Sequence, residues 1–323
     1  MALDIDPELL DTLDEISARR PSGSLDTTAD IAAKRAQSNR LTESLNAALD
    51  RSGVVTEVRN IPGPSRGSSL QLRIHRPTTA VTGLPCLYSV HSGGMVSGSA
   101  LGDDRILVPM VKAFGCVGAS VDYRLAPEFR APAATEDCYC ALAWLAANAG
   151  ELNIDPARIA IHGVSGGGGI AATTVLKARD QGGPMPCLQL LVYPQLDDRN
   201  TTPSSHGDWL GWTRAMNVGA WRAALGERAG TADVTAYEAA ARATDLAGLP
   251  PTFIDVGSME VFRDECIDYA ERLLRAGVAT ELHVYPGCFH GFDIYVPQAR
   301  VSRTAVAARQ SALSRAWWPQ GRP

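Results

Sequence analysis

From residue 54 onward, short runs of β-branched and apolar residues alternate with longer stretches in which apolar residues recur at helical spacing. This alternation is typical of βαβ units and predicts an α/β fold: a mostly parallel, eight-stranded sheet with helices on both faces. The predicted strands are residues 54–58, 70–76, 85–90, 117–123, 159–164, 188–193, 252–256 and 281–285. The predicted helices are residues 103–114, 132–149, 166–179, 261–275 and 297–317. Because no helix is predicted between the first two strands, we expect them to form an antiparallel hairpin at one edge.

The first fifty residues have a helical pattern. Asp6 and Pro7 favour a helix start. The apolar residues that follow on one face of this helix are Leu9, Leu10, Leu13 and Ile16. A four-residue spacing of leucines predicts a second amphipathic helix, which Gly53 would end. Those leucines are Leu41, Leu45 and Leu49.

Residues 197–249 break the alternation of strands and helices, and they carry Trp209, Trp212 and Trp221. A plain connection between a helix and a strand needs far fewer residues, so we expect an inserted, partly helical element. With the N-terminal helices it would form a cap above the carboxyl ends of the strands, where open α/β sheets hold their ligands. The expected division is an N-terminal cap segment (1–50), an α/β core (51–196 and 251–323) and an inserted cap segment (197–250).

Composition excludes several classes of protein. With 323 residues, 45% of them hydrophobic, the chain can form a globular core, and its net charge of −5 argues against a nucleic-acid partner. The seven cysteines are scattered without a C-x-x-C pair, so we expect reduced, buried thiols in a reducing compartment. No apolar run approaches the roughly 18 residues of a membrane span, and no signal-peptide pattern is visible, which predicts a cytoplasmic protein.

Residues 163–167 read Gly-Val-Ser-Gly-Gly, a G-x-S-x-G pattern centred on Ser165. The pattern follows a predicted buried strand and opens a predicted helix. This context holds a serine hydroxyl at a strained elbow, with glycines on both sides because backbone segments approach closely there. A glycine-rich turn with a structural serine is the alternative, and the strand–turn–helix context favours a nucleophile instead.

A second glycine motif, His-Ser-Gly-Gly-Met at residues 91–95, follows the strand predicted at 85–90. Paired glycines after a strand can present backbone N–H groups to a developing oxyanion, together with the N–H of the residue after the nucleophile. We therefore expect Gly93, Gly94 and Gly166 to be the donors of an oxyanion hole.

These two motifs, with Tyr-Arg-Leu-Ala-Pro-Glu at residues 123–128, resemble those of the hormone-sensitive-lipase-like branch of the α/β-hydrolases, bacterial family IV. The resemblance extends from about residue 70 to residue 292. That family normally has His-Gly-Gly-Gly, so Ser92 replaces the first glycine, and both expected donor glycines are kept. The resemblance implies an α/β-hydrolase fold, a carboxylic ester hydrolase and a chain order of nucleophile, acid and base.

Six histidines are candidates for the general base, and the family order restricts them to those after Ser165. His283 lies within a predicted strand and His206 within the insertion. His290 follows the last predicted strand and matches the family's His-Gly-Phe motif, which favours it as the base.

The acid is expected on the loop after the strand at 252–256. In the family it stands three residues after a glycine, a position that Glu260 occupies here. Asp255 is the alternative acid. Asp264 suits instead the first turn of the following helix, where a carboxylate interacts favourably with the helix dipole.

The sequence therefore predicts an ester hydrolase in which Ser165 attacks the ester, assisted by His290 and Glu260. The tryptophans of the insertion indicate a small apolar pocket for short-to-medium acyl esters. The expected substrate contacts are Trp209, Trp212, Met95 and Val164. No metal or other cofactor is expected, because H-E-x-x-H, Cys/His zinc spacings and a helix-opening G-x-G-x-x-G are lacking.

Two other functions remain open. A lactonase, thioesterase or amidase would use the same residues. A non-catalytic small-molecule receptor on this scaffold is the other, although receptors of that kind lose the histidine that stands at His290 here. The last predicted strand could lie at an exposed edge and pair with a second copy, which would make the protein a homodimer.

Overall fold

Eight strands form one sheet in the computed structural model, which describes residues 5–10, 25–79, 81–207 and 209–321. The strands are β1 (Val54–Pro62), β2 (Ser69–Pro77), β3 (Leu84–Val90), β4 (Val117–Asp122), β5 (Ile154–Val164), β6 (Leu188–Val192), β7 (Thr252–Met259) and β8 (Thr280–Phe289). Their order is β1-β2-β4-β3-β5-β6-β7-β8. The pairs β1–β2 and β2–β4 are antiparallel and the other neighbours are parallel, so the predicted fold class and edge hairpin are confirmed.

The described residues contain nine α-helices, which include all five predicted from the sequence. They are α1 (Pro7–Leu10), α2 (Thr28–Ala47), α3 (Asp104–Phe114), α4 (Ala133–Ala147), α5 (Gly166–Asp180), α6 (Arg214–Leu225), α7 (Arg263–Arg275), α8 (Phe292–Tyr295) and α9 (Arg300–Trp317). The predicted and observed helix boundaries agree within three residues. Helical spacing of apolar residues therefore located these helices well.

Alternate residues of the central strands face different helix layers. The hydroxyl of Tyr88 in β3 donates a 3.0 Å hydrogen bond to the carbonyl of Cys138 in α4. The next residue, Ser89, points to the opposite face, where its hydroxyl lies 2.9 Å from Nδ1 of His162 in β5. The charge of Arg309 in α9 acts on His162 from that side. The helices α4 and α9 thus cover opposite faces, and the apolar core lies between them and the sheet.

The structure corrects the prediction for the second N-terminal helix. Thr27 caps α2 by accepting a hydrogen bond from the Asp30 N–H, and the helix ends at Ala47 rather than at Gly53. Leu41 and Leu45 are 43% and 40% exposed. The leucine spacing therefore does not mark a buried face of α2. The helix contacts the body of the protein through Ile31, buried in its first half, and through Asn46 near its end, whose side chain donates a 2.9 Å hydrogen bond to the Leu101 carbonyl. Leu13 and Ile16, which the sequence placed on the apolar face of the first helix, lie outside the described residues.

The insertion is partly helical, as predicted, since it contains α6 and short 3₁₀ turns at Ser204–His206, Gly226–Arg228 and Ala240–Arg242. Leu25 packs so closely on α6 that a Cβ at Gly219 would lie 2.8 Å from the Leu25 Cβ. The N-terminal segment and the insertion are therefore in direct contact. Whether they behave as separate domains stays a prediction.

Strand β8 lies at one edge of the sheet, as pairing with a second copy would require, and that pairing stays a prediction. All seven cysteines are free thiols, five of them buried and Cys140 and Cys187 half-buried. None of the helices among the described residues has the length and apolar character needed to cross a membrane.

Candidate active site

Ser165 stands at the sharp turn between β5 and α5. Its backbone has φ 58° and ψ −123°, a conformation that costs energy for a residue with a side chain. A Cβ at Gly163 would overlap the carbonyl of Gly167, and a Cβ at Gly167 would overlap the carbonyl of Val90. The turn is therefore possible only because glycine occupies both positions, and the strained elbow expected from the sequence is present.

The loop after β3 brings three consecutive residues with positive φ to the same place: Gly93 at 131°, Gly94 at 60° and Met95 at 65°. A Cβ at Gly166 would lie 2.8 Å from the Gly94 nitrogen, so the start of α5 packs directly against this loop. Among the described residues, no acceptor is recorded for the N–H groups of Gly93, Gly94 and Gly166. The structure thus brings the three expected donors together.

The Tyr-Arg-Leu-Ala-Pro-Glu segment supports this glycine loop. The ring of Tyr123 stacks on His91 with centroids 4.0 Å apart, and its hydroxyl donates a 2.9 Å hydrogen bond to the His91 carbonyl. The Ala126 N–H donates to the carbonyl of Met95 at 3.0 Å. His91 thus packs within the loop, and the third motif holds the glycine loop in position.

Ser165, Glu260 and His290 each come directly after a strand, namely β5, β7 and β8. Because parallel strands end at the same edge of a sheet, residues far apart in sequence meet there. The Oγ of Ser165 lies 3.0 Å from Nε2 of His290, and Nδ1 of His290 lies 2.7 Å from Oε2 of Glu260. The three side chains form a continuous hydrogen-bonded row.

The row is shielded from water. Glu260 is 0% and His290 8% exposed. Burial raises the pKa of Glu260, an effect that the attraction and hydrogen bond of His290 oppose. The imidazole is enclosed by aromatic rings: Tyr193 and Phe262 meet it edge-on at centroid distances of 4.6 and 5.1 Å, and Trp212 lies at 6.5 Å. These contacts fix the orientation of the imidazole ring.

The alternative acid, Asp255, has a different partner. Its Oδ2 accepts a 2.6 Å hydrogen bond from Nε of Arg309, which also pairs with Asp293. Asp264 lies in the first turn of α7 and accepts a 2.7 Å hydrogen bond from the Ser204 N–H. Of the three candidate carboxylates, Glu260 is therefore the one that contacts His290.

Comparison with known proteins gives the family. Residues 87–294 match the sequence model of a protein family described as having the alpha/beta hydrolase fold. The chain belongs to this family.

Related proteins agree with that assignment. The esterase LipI of Mycobacterium tuberculosis is 34% identical over 320 residues, which cover 96% of this chain and 93% of LipI. The carboxylesterase NlhH of the same organism is 34% identical over 253 residues, or 77% of this chain and 79% of NlhH. A solved bacterial heroin esterase superposes with a TM-score of 0.91 at 39% identity, covering 97% of this chain and 98% of that one. The predicted family and fold are confirmed.

The substrate contacts expected for this α/β-hydrolase lie in different places. Met95 lines an enclosed cavity of about 20 Å³. The Trp212 ring covers the glycine loop, since a Cβ at Gly94 would lie 2.5 Å from it. Trp209 donates a 2.6 Å hydrogen bond to the Ser204 carbonyl, and Val164 is buried at the end of β5. Substrate contacts for Met95, Trp212, Trp209 and Val164 all stay predictions.

Of the residues that line this cavity, the sequence predicted only Met95, and it missed among others the large apolar side chains of Ile170 and Trp221. Ile170 belongs to the first turns of α5, and Trp221 lies on α6 of the insertion. Ile170 could have been predicted to lie near the site, because it stands only five residues after Ser165 on the helix that the nucleophile opens. In the part of this α/β-hydrolase that the structure describes, no three His, Cys, Asp or Glu side chains are grouped to hold a metal ion.

Proposed function

We propose that this protein is a serine carboxylesterase that hydrolyses short-to-medium acyl esters through an acyl-enzyme intermediate. The observation that carries the proposal is the 3.0 Å contact between Ser165 Oγ and His290 Nε2, in a row that Glu260 completes. A hydroxyl, an imidazole and a carboxylate in this order are what acyl transfer to a serine requires. Relatives named carboxylesterase and esterase support the same class, carboxylic ester hydrolase.

In the first half of the reaction, Oγ of Ser165 attacks the ester carbonyl carbon while its proton passes to Nε2 of His290. The tetrahedral intermediate then breaks its bond to the alcohol oxygen, which takes that proton and leaves as the alcohol. In the second half, water gives a proton to His290 and attacks the acyl carbon. The second tetrahedral intermediate then breaks its bond to Oγ of Ser165, which takes the proton back from His290, and the carboxylic acid leaves.

Glu260 and the glycine loop stabilise the charges that develop during the reaction. The carboxylate of Glu260, 2.7 Å from Nδ1, holds His290 in the tautomer whose Nε2 can accept a proton, and it balances the imidazolium that forms. The free N–H groups of Gly93, Gly94 and Gly166 are the donors for the carbonyl oxygen as it becomes negative. Removing one such donor typically costs about 3 kcal/mol of transition-state stabilisation.

The small cavity beside Met95 supports a short acyl group. Its volume of about 20 Å³ and its walls of Ile170 and Trp221 leave room for little more than a methyl-sized group unless side chains move. Gln195, which also lines it, is fixed through its N–H to the carbonyl of Ser165 at 3.0 Å. Met95, the residue after the oxyanion glycines, also lines it, so the cavity lies beside the oxyanion loop, and we assign to it acetyl and other short acyl groups.

A chain-length series of 4-nitrophenyl esters, from acetate to palmitate, tests this function on the wild type and on Ser165→Ala. We expect kcat/KM to be at least about tenfold higher for acetate or butyrate than for palmitate. Ser165→Ala should lose at least about 1,000-fold in kcat and its labelling by a fluorophosphonate, with an unchanged melting temperature. Undiminished turnover by Ser165→Ala would exclude the mechanism, and equal turnover of all chain lengths would exclude the short-acyl preference.

A further inference from the structure

The 30 basic residues of this chain include only three lysines, and they lie in different surroundings. Lys112 pairs with the carboxylate of Asp50. The ammonium of Lys177 lies 5.4 Å from the ring centroid of Tyr237 and 5.9 Å from that of Tyr139. The ammonium of Lys34, on the cap helix α2, lies 5.8 Å from the ring centroid of Trp212. Lys34 is therefore the lysine that reaches the active-site cap.

Lys34 has no recorded anionic partner among the residues that the structure describes. Across residues 5–10, 25–79, 81–207 and 209–321, no carboxylate or hydrogen-bond acceptor is recorded for its ammonium. The side chain is half-buried, and burial lowers the pKa of Lys34. A cation removed from water without a counter-charge is unfavourable, and an anion placed beside it would be bound with a gain in free energy.

Trp212 links this cation to the reacting groups. Its ring packs on Gly94 of the oxyanion loop and lies 6.5 Å from the ring of His290. The indole N–H donates a 3.3 Å hydrogen bond to Oδ1 of Asn217, which fixes the ring. A single aromatic ring therefore separates the Lys34 ammonium from the site where the ester is cleaved.

The neighbouring residue, Arg35, holds Lys34 in this place. Its guanidinium donates to the carbonyls of Val96 and Ala126 at 2.7 and 2.8 Å, and it forms two 2.7 Å hydrogen bonds with the carboxylate of Glu128. Helix α2 is thus bound to the segment that follows the glycine loop. The same contacts fix the backbone of α2 at Lys34, whose ammonium lies 5.8 Å from the ring centroid of Trp212.

We propose that Lys34 binds a carboxylate carried by the alcohol part of the ester, several bonds from the scissile carbonyl. The inference rests on the proposed esterase function. The acyl part is assigned to the cavity lined by Met95, Ile170 and Trp221, which Lys34 does not line. The alcohol part therefore extends toward the cap, where the ammonium of Lys34 supplies a positive charge. The substrate class is the short-chain acyl esters of hydroxy acids.

A cation over an indole ring could instead serve only to hold that ring. The two roles differ in one measurable quantity, the ratio of kcat/KM for an anionic ester to that for a neutral ester of the same shape. A merely structural lysine affects both esters alike, because a displaced Trp212 disturbs the oxyanion loop for every substrate. A lysine that binds a carboxylate affects the ratio.

The test uses 4-acetoxybenzoate and its methyl ester, whose acetyl groups are identical. We expect Lys34→Met to lower the anionic-to-neutral ratio about tenfold, and Lys34→Arg to restore most of it, since a charged hydrogen bond is worth about that much. Lys177→Met is the matched control, because Lys177 also lies over aromatic rings but in the last turn of α5, at the end of that helix away from Ser165, and it should keep the wild-type ratio. An unchanged ratio in Lys34→Met overturns the proposal.

Two further measurements keep the outcomes distinct. In the wild type, raising NaCl from about 0.02 to about 0.5 M should lower the same ratio, because salt screens an attraction between partly exposed charges. This result needs no variant, so a Lys34→Met protein that fails to fold leaves the proposal testable, and a salt-independent ratio counts against it. If the wild type hydrolyses neither ester, the esterase function itself fails, whereas turnover of both with an unchanged ratio removes only the role of Lys34.

Discussion

Oε2 of Glu260 lies 2.7 Å from Nδ1 of His290, and the carboxylate that makes this contact is closed off from solvent. The residue follows β7 directly, where an aspartate is usual in the family that the sequence resembles. The longer glutamate side chain nevertheless brings its carboxylate to hydrogen-bonding distance of the imidazole. Since burial raises the pKa of Glu260 and His290 opposes that shift, the two side chains are electrostatically dependent on each other.

We predict that Glu260→Gln keeps the fold and lowers kcat by about 10³- to 10⁴-fold. The amide retains the size of the carboxylate but cannot balance an imidazolium, and its N–H₂ group favours the wrong tautomer of His290. Steady-state hydrolysis of 4-nitrophenyl acetate measures the effect, and circular dichroism checks the fold. A loss of less than about tenfold would assign the acid elsewhere.

Asp255→Asn provides the contrast, because Asp255 was the other candidate acid. Its partner is Arg309, which keeps Asp293 in the variant. We expect a lower melting temperature, since a buried ion pair is weakened, with kcat reduced far less than in Glu260→Gln. A variant with normal stability and a kcat as low as that of Glu260→Gln would reverse the assignment of the two carboxylates.

The sequence was sufficient to predict the sheet, the main helices and the hydrogen-bonded row. Strand periodicity and glycine motifs are local signals, and Ser165 and His290 each belong to such a motif. Glu260 was found because the family resemblance places the acid three residues after a glycine, which here is Gly257 in β7. The parallel sheet then brings the three strand ends together, so no side-chain packing had to be known.

The cap could not be predicted in the same way. The leucine spacing in α2 indicated an amphipathic helix, yet Leu41 is 43% exposed, and the contacts of α2 with the body of the protein are made by other residues, among them Ile31 and Arg35. The positions of Lys34 and Trp221 depend on how α2 and α6 pack over the sheet. The spacing of apolar residues predicts which side of a helix is apolar, but it does not predict where that helix packs on the rest of the protein.

Trp221 limits the acyl pocket, and we predict that Trp221→Leu shifts the chain-length optimum toward longer esters. The indole is almost fully buried, lines the 20 Å³ cavity and has no recorded acceptor for its N–H, so the substitution removes volume without breaking a hydrogen bond. The ratio of kcat/KM for 4-nitrophenyl hexanoate to that for the acetate should rise about tenfold, in line with the discrimination that one methylene provides.

Trp317→Leu is the matched control for that experiment. Trp317 is equally buried and also has no recorded acceptor for its indole N–H, but it lies on α9 against Phe114. Both variants should lose stability through the cavity that they create. A hexanoate-to-acetate ratio that rises in both would indicate general loosening of the structure rather than a larger acyl pocket.

The thiols should be poorly reactive in the folded protein. Burial raises the pKa of Cys187 to about 11 and that of Cys288 to about 12, so little thiolate forms near neutral pH. Titration with a chromogenic disulfide at pH 8 should modify at most the half-buried Cys140 and Cys187 within minutes, and all seven thiols after unfolding in guanidinium. Rapid modification of more than two thiols in the native protein would contradict the buried positions.

His162 gives the fold a pH-dependent stability whose sign follows from its burial. Burial in the core, aided by the charge of Arg309 and opposed by that of Asp293, lowers the pKa of His162 to about 3. The unfolded chain takes up a proton near pH 6.5, whereas the folded protein does not until about pH 3. Between these values the unfolded state binds more protons, so the free energy of unfolding falls on acidification by up to about 1.4 kcal/mol per pH unit from this residue.

His162→Asn should remove that contribution, because asparagine does not titrate and its amide can still meet the hydroxyl of Ser89. We expect urea unfolding between pH 6.5 and pH 4 to show a shallower loss of stability in this variant. The exposed His206→Asn is the control and should keep the wild-type slope. Burial also lowers the pKa of His91, so part of the pH dependence should remain. Identical slopes in the wild type and His162→Asn would mean that His162 accepts a proton in the folded protein as readily as in the unfolded chain.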